Sequence, residues 1–292
     1  MPHPKALAAT IGLPKKRSVY TIFYSNFFMA VSTAMIAYFL SSYFKILVGD
    51  KYVGLAFMVS YLISMVLINF FTDIIAKLGT VRSFLTILGV NFLSLLILAY
   101  GGNNKYLVVV FVIFLAANAL VWVNNDVLIE MFSKDSETGR IRAVGLTMMN
   151  LGWVLTPIAA GWLISHYGFG LIFTISALLL VPPFFIIASG IDQKKIKYKK
   201  HQPFVDTFRL VIRSKELRSI FFISFLLSFF YSWMVIYTPL YLLSLGLDWP
   251  TIGKMFSIML VPFLFFQYPA GFLADKYWGE TEMISIALVI MS

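Results

Sequence analysis

The sequence predicts an all-α fold: a polytopic bundle of transmembrane helices in two halves, the second incomplete. Three observations predict it. Apolar runs of about 20 residues or more recur along the chain, the length a helix needs to cross a bilayer. Only 12% of the 292 residues are charged while 60% are hydrophobic, far from the composition of a soluble domain. The basic residues also fall almost wholly on alternate connections.

The apolar runs place spans 1 to 8 at residues 18–48, 52–78, 81–100, 106–132, 141–167, 169–189, 219–245 and 251–272. A ninth begins near Met283 and reaches Ser292, less than half the length needed to cross. The chain therefore reads as a fragment, C-terminally truncated. Residues 1–190 form a six-helix half, 191–218 a basic linker and 219–292 a partial second half.

With the N-terminus inside, 19 of the 23 Lys and Arg lie on inner connections, and only Lys45, Lys51, Lys105 and Lys254 lie outside. This is the positive-inside pattern and orients the chain with its N-terminus in the cytoplasm of a plasma membrane. It also accounts for the net charge of +10 without a nucleic-acid partner. The first span is too long for a signal peptide's apolar core.

There is no cysteine, and His3, His166 and His201 are scattered. No Gly-rich phosphate loop, H-E-x-x-H zinc pair or nucleophile elbow occurs. No catalytic residue, metal or cofactor is expected. The partners expected are the lipid bilayer, a small-molecule substrate and protons, and the chain is expected to be a monomer.

The linker carries Lys194, Lys195, Lys197, Lys199 and Lys200. Beyond it, Phe204, Phe208, Val211 and Ile212 share one helical face and Asp206, Arg209 and Arg213 the other. Such a helix lies on the inner membrane surface.

Two short patterns add a family. Between spans 8 and 9, Gly271, Asp275, Lys276 and Gly279 form G-x-x-x-D-K-x-x-G, with Trp278 as one extra residue before the last glycine. Offset by 199 residues, Gly54 meets Gly253 and Lys77 meets Lys276, and Gly79 meets Gly279 after one gap. In this earlier copy Thr72 and Ala76 replace the first glycine and the aspartate, with Asp73 one turn earlier as a substitute acid. The pattern resembles the signature that the major facilitator superfamily carries between helices 2 and 3 and repeats between helices 8 and 9. Six helices, a basic linker and more helices is also that family's layout. The resemblance implies two six-helix halves, alternating access, and a cytoplasmic latch at Asp73, Lys77, Gly271, Asp275, Lys276 and Gly279. On span 5, Gly152, Thr156, Pro157, Ala160 and Gly161 resemble the helix-5 run of proton-driven drug antiporters, with Thr156 and Ala160 where that run has glycine. Proline removes a helix hydrogen bond and small residues permit close packing.

Ionisable groups within spans are functional candidates. Span 4 holds Asp126 and Glu130, one turn apart, on a face that includes Asn118, Trp122 and Asn125. Asp126 is the proton-coupling candidate, or else an ion-pair partner of Arg142 or Lys77. Glu130 with Arg140 and Arg142 resembles the ion pair that the family's sugar porters place between helices 4 and 5, a second part of the latch. Asn150 and Trp153 on span 5 are expected to meet Asn125. Tyr24 and Asn26 on span 1, with Tyr231 and Trp233 on span 7, complete the candidate cavity. No Lys or Arg lies deep in a complete span, which disfavours an organic phosphate or other polyanion. The expected function is proton-coupled secondary transport, with export of an amphipathic or cationic molecule. The alternatives are a proton-linked importer of sugars or other neutral nutrients, and a sensor or assembly protein that kept the fold.

Overall fold

A computed structural model describes residues 16–102, 104–132, 138–191 and 204–273, with isolated positions beyond. These residues form helices and no strand. In chain order they are α1 (Lys16–Ala37), α2 (Leu40–Val48), a 3-10 turn at Asp50–Tyr52, α3 (Val53–Leu78), α4 (Thr80–Tyr100), α5 (Leu107–Phe132), α6 (Thr138–Tyr167), α7 (Phe169–Leu179), α8 (Val181–Gly190), α9 (Phe204–Arg213), α10 (Lys215–Ser244) and α11 (Trp249–Leu273).

Among the described residues, six helices are long and apolar enough to cross a membrane, and the bent pair α1–α2 makes a seventh. The remaining expected span is α6, a helix of 30 residues and so about 45 Å long. It is less apolar because it carries Arg140, Arg142, Asn150 and His166.

Two spans expected to be single helices are broken. Span 1 bends by 46° between α1 and α2. Neither Gly nor Pro stands at the bend, where Tyr38 and Phe39 are both buried, so tertiary packing sets it. Span 6 breaks at Leu180, just before Pro182 and Pro183. Proline supplies no N–H to the helix and disfavours helical backbone in the residue before it.

Tight reversals join the other spans. Gly79 caps α3 through its N–H to the Ile75 carbonyl at 2.7 Å. Its φ of +85° then turns the chain straight into α4, a conformation that favours glycine. The Asp248 carboxylate accepts a hydrogen bond from the Thr251 N–H at 3.1 Å and caps the start of α11. Hydrogen bonds from the Thr251 side chain and backbone hold this carboxyl below its usual range. A lowered pKa means the cap is intact at neutral pH and weakens only as pH falls through that lowered value.

The first half is one packed bundle. Span 4 lies against spans 2 and 3, span 1 against 5 and 6, and span 3 against 6. Small residues bring helices close where lipid provides no hydrophobic drive. Ser32 donates to the Ser176 carbonyl at 2.8 Å, and Ser176 donates to the Ser32 carbonyl at 3.1 Å, stitching span 1 to span 6. Phe44, Phe57 and Phe111 cluster where spans 1, 2 and 4 meet. The second half attaches chiefly through α10 on α2 and, most extensively, α11 on α6.

Candidate functional site

We call proximal the end of the bundle where α1 begins, and distal the end holding Val48, Gly168 and Leu245. Among the described residues, the ring and glycine contacts between the two halves lie at the distal end. On span 8, Ile252, Gly253, Phe256 and Ser257 are buried, whereas Ile258, Phe263, Phe265 and Phe266 are exposed. On span 7, Ile236 and Pro239 are buried, while residues 219–233 are exposed throughout.

Aromatic rings form the distal junction. Tyr38 at the bend of span 1 stacks on Phe256 of span 8, with centroids 4.1 Å apart and planes at 19°. The Trp153 ring meets Tyr38 edge-on at 6.0 Å. Trp249 sits between Phe39 at 5.7 Å and Phe169 at 5.5 Å. Trp249 is expected from its position at a span end to be a membrane-interface anchor; it is instead packed between the halves. Trp153 likewise packs at this junction, against Tyr38.

Glycines let backbones touch here. A Cβ on Gly161 would overlap the Trp249 carbonyl, and one on Gly253 would overlap the Pro157 carbonyl. The span 5 pattern is thus one wall of the junction. Gly152 of the same pattern packs against Val31 of span 1. The Thr156 hydroxyl, in place of a glycine, donates to the Gly152 carbonyl within the helix. The helix runs unbroken through Pro157. Gly54, the repeat mate of Gly253, also faces the other half, under the Tyr237 hydroxyl of span 7.

Below the junction lies a polar seam. Thr33 of span 1 and Asn91 of span 3 both donate to the Asn118 Oδ1 of span 4, each at 3.4 Å. Span 1 runs distally and span 4 proximally. Seven residues back from Thr33 is Asn26, and seven on from Asn118 is Asn125. Two helical turns, about 10 Å, therefore put both amides at one depth on the facing sides of their helices. Asn26 is 1% exposed and Asn125 2%. Neither amide atom of Asn26, nor Asn125 Oδ1, has a hydrogen-bond partner among the described residues. Such buried polar atoms are uncommon and mark strained or ligand-binding places.

Other candidates lie apart from this seam. Asp126 is exposed, not buried within the protein, so the expected single stripe on span 4 divides. Asn118 and Asn125 belong to the seam; Asp126 stands on the open side, next to half-buried Trp122. Tyr24 is 57% exposed and faces away from buried Asn26. Asn150 is half-buried on span 5, proximal to Trp153. Trp233 is exposed within a ladder from Phe229 at 6.3 Å to Tyr237 at 5.0 Å. Tyr231 is 39% exposed, and its ring meets Phe230 edge-on at 6.5 Å. Asp73 and Lys77 are exposed near the proximal end of span 2. Gly271 belongs to the last turns of α11. Asp275, Lys276 and Gly279, and the side chains of Glu130, Arg140 and Arg142, lie outside the described residues.

Tyr38, Phe39, Phe256 and Asn91 carry no sequence motif. Asn91 alone gives a signal, as a lone amide in the apolar span 3. A separate cleft of about 330 Å³ opens at the span 6 break, lined by Leu88, Gly89, Phe92, Leu180, Phe184 and Phe185 among others. Its lining is wholly apolar and it lies away from the seam.

Two helical groups that meet at one end beside a polar seam fit a polytopic membrane carrier. The chain belongs to the Major Facilitator Superfamily, which it matches over residues 20–292. It is a membrane-embedded transporter with that family's helical fold. No curated protein matches this chain.

Proposed function

We propose that this transporter exports an amphipathic or cationic small molecule in exchange for protons, as a monomer in the plasma membrane with its N-terminus in the cytoplasm. The observation that carries this reading is the aromatic and glycine contact between the halves at the distal end. With the distal end outside, the junction of Tyr38, Phe256, Gly161 and Gly253 is a closed outer gate. The chain is then in its cytoplasm-facing state, and substrate enters from the proximal side.

The site chemistry supports the substrate class. Tyr231, Trp153 and Trp233 offer aromatic surface below the gate, and Asn26 and Asn125 offer neutral dipoles. Aromatic faces attract cations by about 0.5–2 kcal/mol each, and an apolar pocket with few polar groups tolerates varied shapes. Asp126, on the open side of span 4, is the carboxylate placed to exchange a proton with substrate movement. Asp73 and Lys77, with Gly271, Asp275 and Lys276, would meet when the proximal side closes.

The test uses proteoliposomes and tetraphenylphosphonium. An imposed pH gradient is expected to drive at least fivefold more accumulation than in empty vesicles. Gradient-driven flux of neutral sugars without cation flux would replace the exporter with an importer. No gradient-dependent flux of either would sink the transport reading.

A further inference from the structure

The cleft at the span 6 break lies at mid-membrane depth. Gly89 stands midway along α4, and Leu180 midway along the Phe169–Gly190 span. Each is about 15 Å from its helix ends, the middle of a hydrocarbon core about 30 Å thick. The cleft, about 330 Å³, lies between Leu88, Gly89 and Phe92 of span 3 and Leu180, Phe184 and Phe185 of span 6, and no polar atom lines it. Phe184 is 38% exposed and Phe185 65%, so the cleft opens on the outside of the bundle.

Two features of the backbone make the hollow. A Cβ built on Gly89 would meet no atom within 4 Å, so the missing side chain leaves open space. Across from it span 6 changes course. The Leu180 N–H bonds the Ala177 carbonyl at 3.0 Å. The Ser176 carbonyl, which a continuous helix would pair with that N–H, accepts the Ser32 hydroxyl at 2.8 Å instead. Pro182 and Pro183 follow and supply no N–H. Span 1 thus holds the break from the inner side, and the cleft faces outward.

The chemistry of the lining selects the occupant. An apolar cavity stays free of water, and an unfilled one forfeits the dispersion contacts of its walls. A charged or polar molecule would sit here with its charge unpaired in hydrocarbon. A phospholipid acyl chain is apolar, flexible and already present at this depth. We propose that the cleft is a lipid site that holds one acyl chain of a membrane phospholipid, seated between spans 3 and 6 and bracing the break at Leu180. The site depends on the chain lying in a bilayer, and on no transported substrate or coupling ion.

The test uses the full chain in nanodiscs of phosphatidylcholine that carries a diazirine midway along one acyl chain. After photolysis, labelled residues are mapped by mass spectrometry. Leu93 and Leu178 are the controls, each 57% exposed on the same two spans and outside the cleft lining. Labelling of the cleft residues is expected to exceed that of the controls at least fivefold. Gly89→Phe, whose ring fills the open space, should cut cleft labelling at least threefold and leave the controls unchanged. Gly89→Leu should act in the same direction and serves if the larger ring impairs insertion. Equal labelling of cleft and controls overturns the proposal, because the lipid there is then ordinary boundary lipid. Cleft labelling that neither variant reduces overturns it too. So does loss of cleft labelling on adding tetraphenylphosphonium, which would make a lipophilic cation the occupant. None of these readouts depends on flux, so a failed transport assay leaves them standing.

Discussion

Gly253→Ala is expected to give a protein that inserts normally but transports at least tenfold more slowly. The added methyl would overlap the Pro157 carbonyl and crowd the Gly161 Cα. Both obstacles are backbone, so neither can rotate away. Overpacking of this kind costs about 1–3 kcal/mol, charged only to the state in which the distal end is closed. About 1.4 kcal/mol is a tenfold shift in an equilibrium. Alanine in a helix is otherwise favoured over glycine by about 1 kcal/mol, so lost helicity would not explain the loss. Gly54→Ala should be milder, because its obstacle is the Tyr237 hydroxyl at the end of a flexible side chain. Adding Tyr237→Phe should relieve it. The check is initial flux per inserted molecule, and wild-type flux in Gly253→Ala would remove the junction from the transport cycle.

Asp126→Asn should separate coupling from movement. Asparagine keeps the size and polarity of the side chain but cannot exchange a proton. Gradient-driven accumulation should fall to the level of empty vesicles, while counterflow of preloaded substrate stays within about threefold of the parent. Unchanged gradient-driven transport would take the proton role away from Asp126. Equal loss of both activities would make it a substrate or structural residue.

Most of the helical layout was legible because membrane helices follow from apolar length alone. The turn at Gly79 was legible from a glycine between a charged helix end and the next apolar run. The span 5 pattern marked a place of close packing, and Gly54 and Gly253 were paired by the repeat. The bend at Tyr38 and Phe39 was hidden, because it sits in an unbroken apolar run with neither Gly nor Pro. The aromatic junction was hidden for a related reason. In lipid the residues facing neighbouring helices and those facing acyl chains are equally apolar, so hydropathy cannot tell them apart. Trp249 shows the effect, since a tryptophan at a span end looks the same as an interface anchor or as a gate residue. On span 4 the spacing of Asn118, Asn125 and Asp126 put them on one broad face. Only the packing of spans 1 and 3 against that helix separates the buried amides from the exposed acid. Asn26 was legible as a candidate, but its partner at equal depth needed the Thr33–Asn118 contact to fix the register.

In the proposed cycle the two halves meet at the distal end and part there during transport. Tyr167 at the end of α6 and Leu245 at the end of α10 are both exposed, one on each half. Replacing each with cysteine in this cysteine-free chain allows a pair of spin labels to report the distance across the junction by double electron–electron resonance. Two distance populations are expected, a short one for the closed junction and a longer one for the open. Gly253→Ala should shift the balance toward the longer. A single short distance, unmoved by Gly253→Ala, by pH or by transported cation, would contradict this cycle.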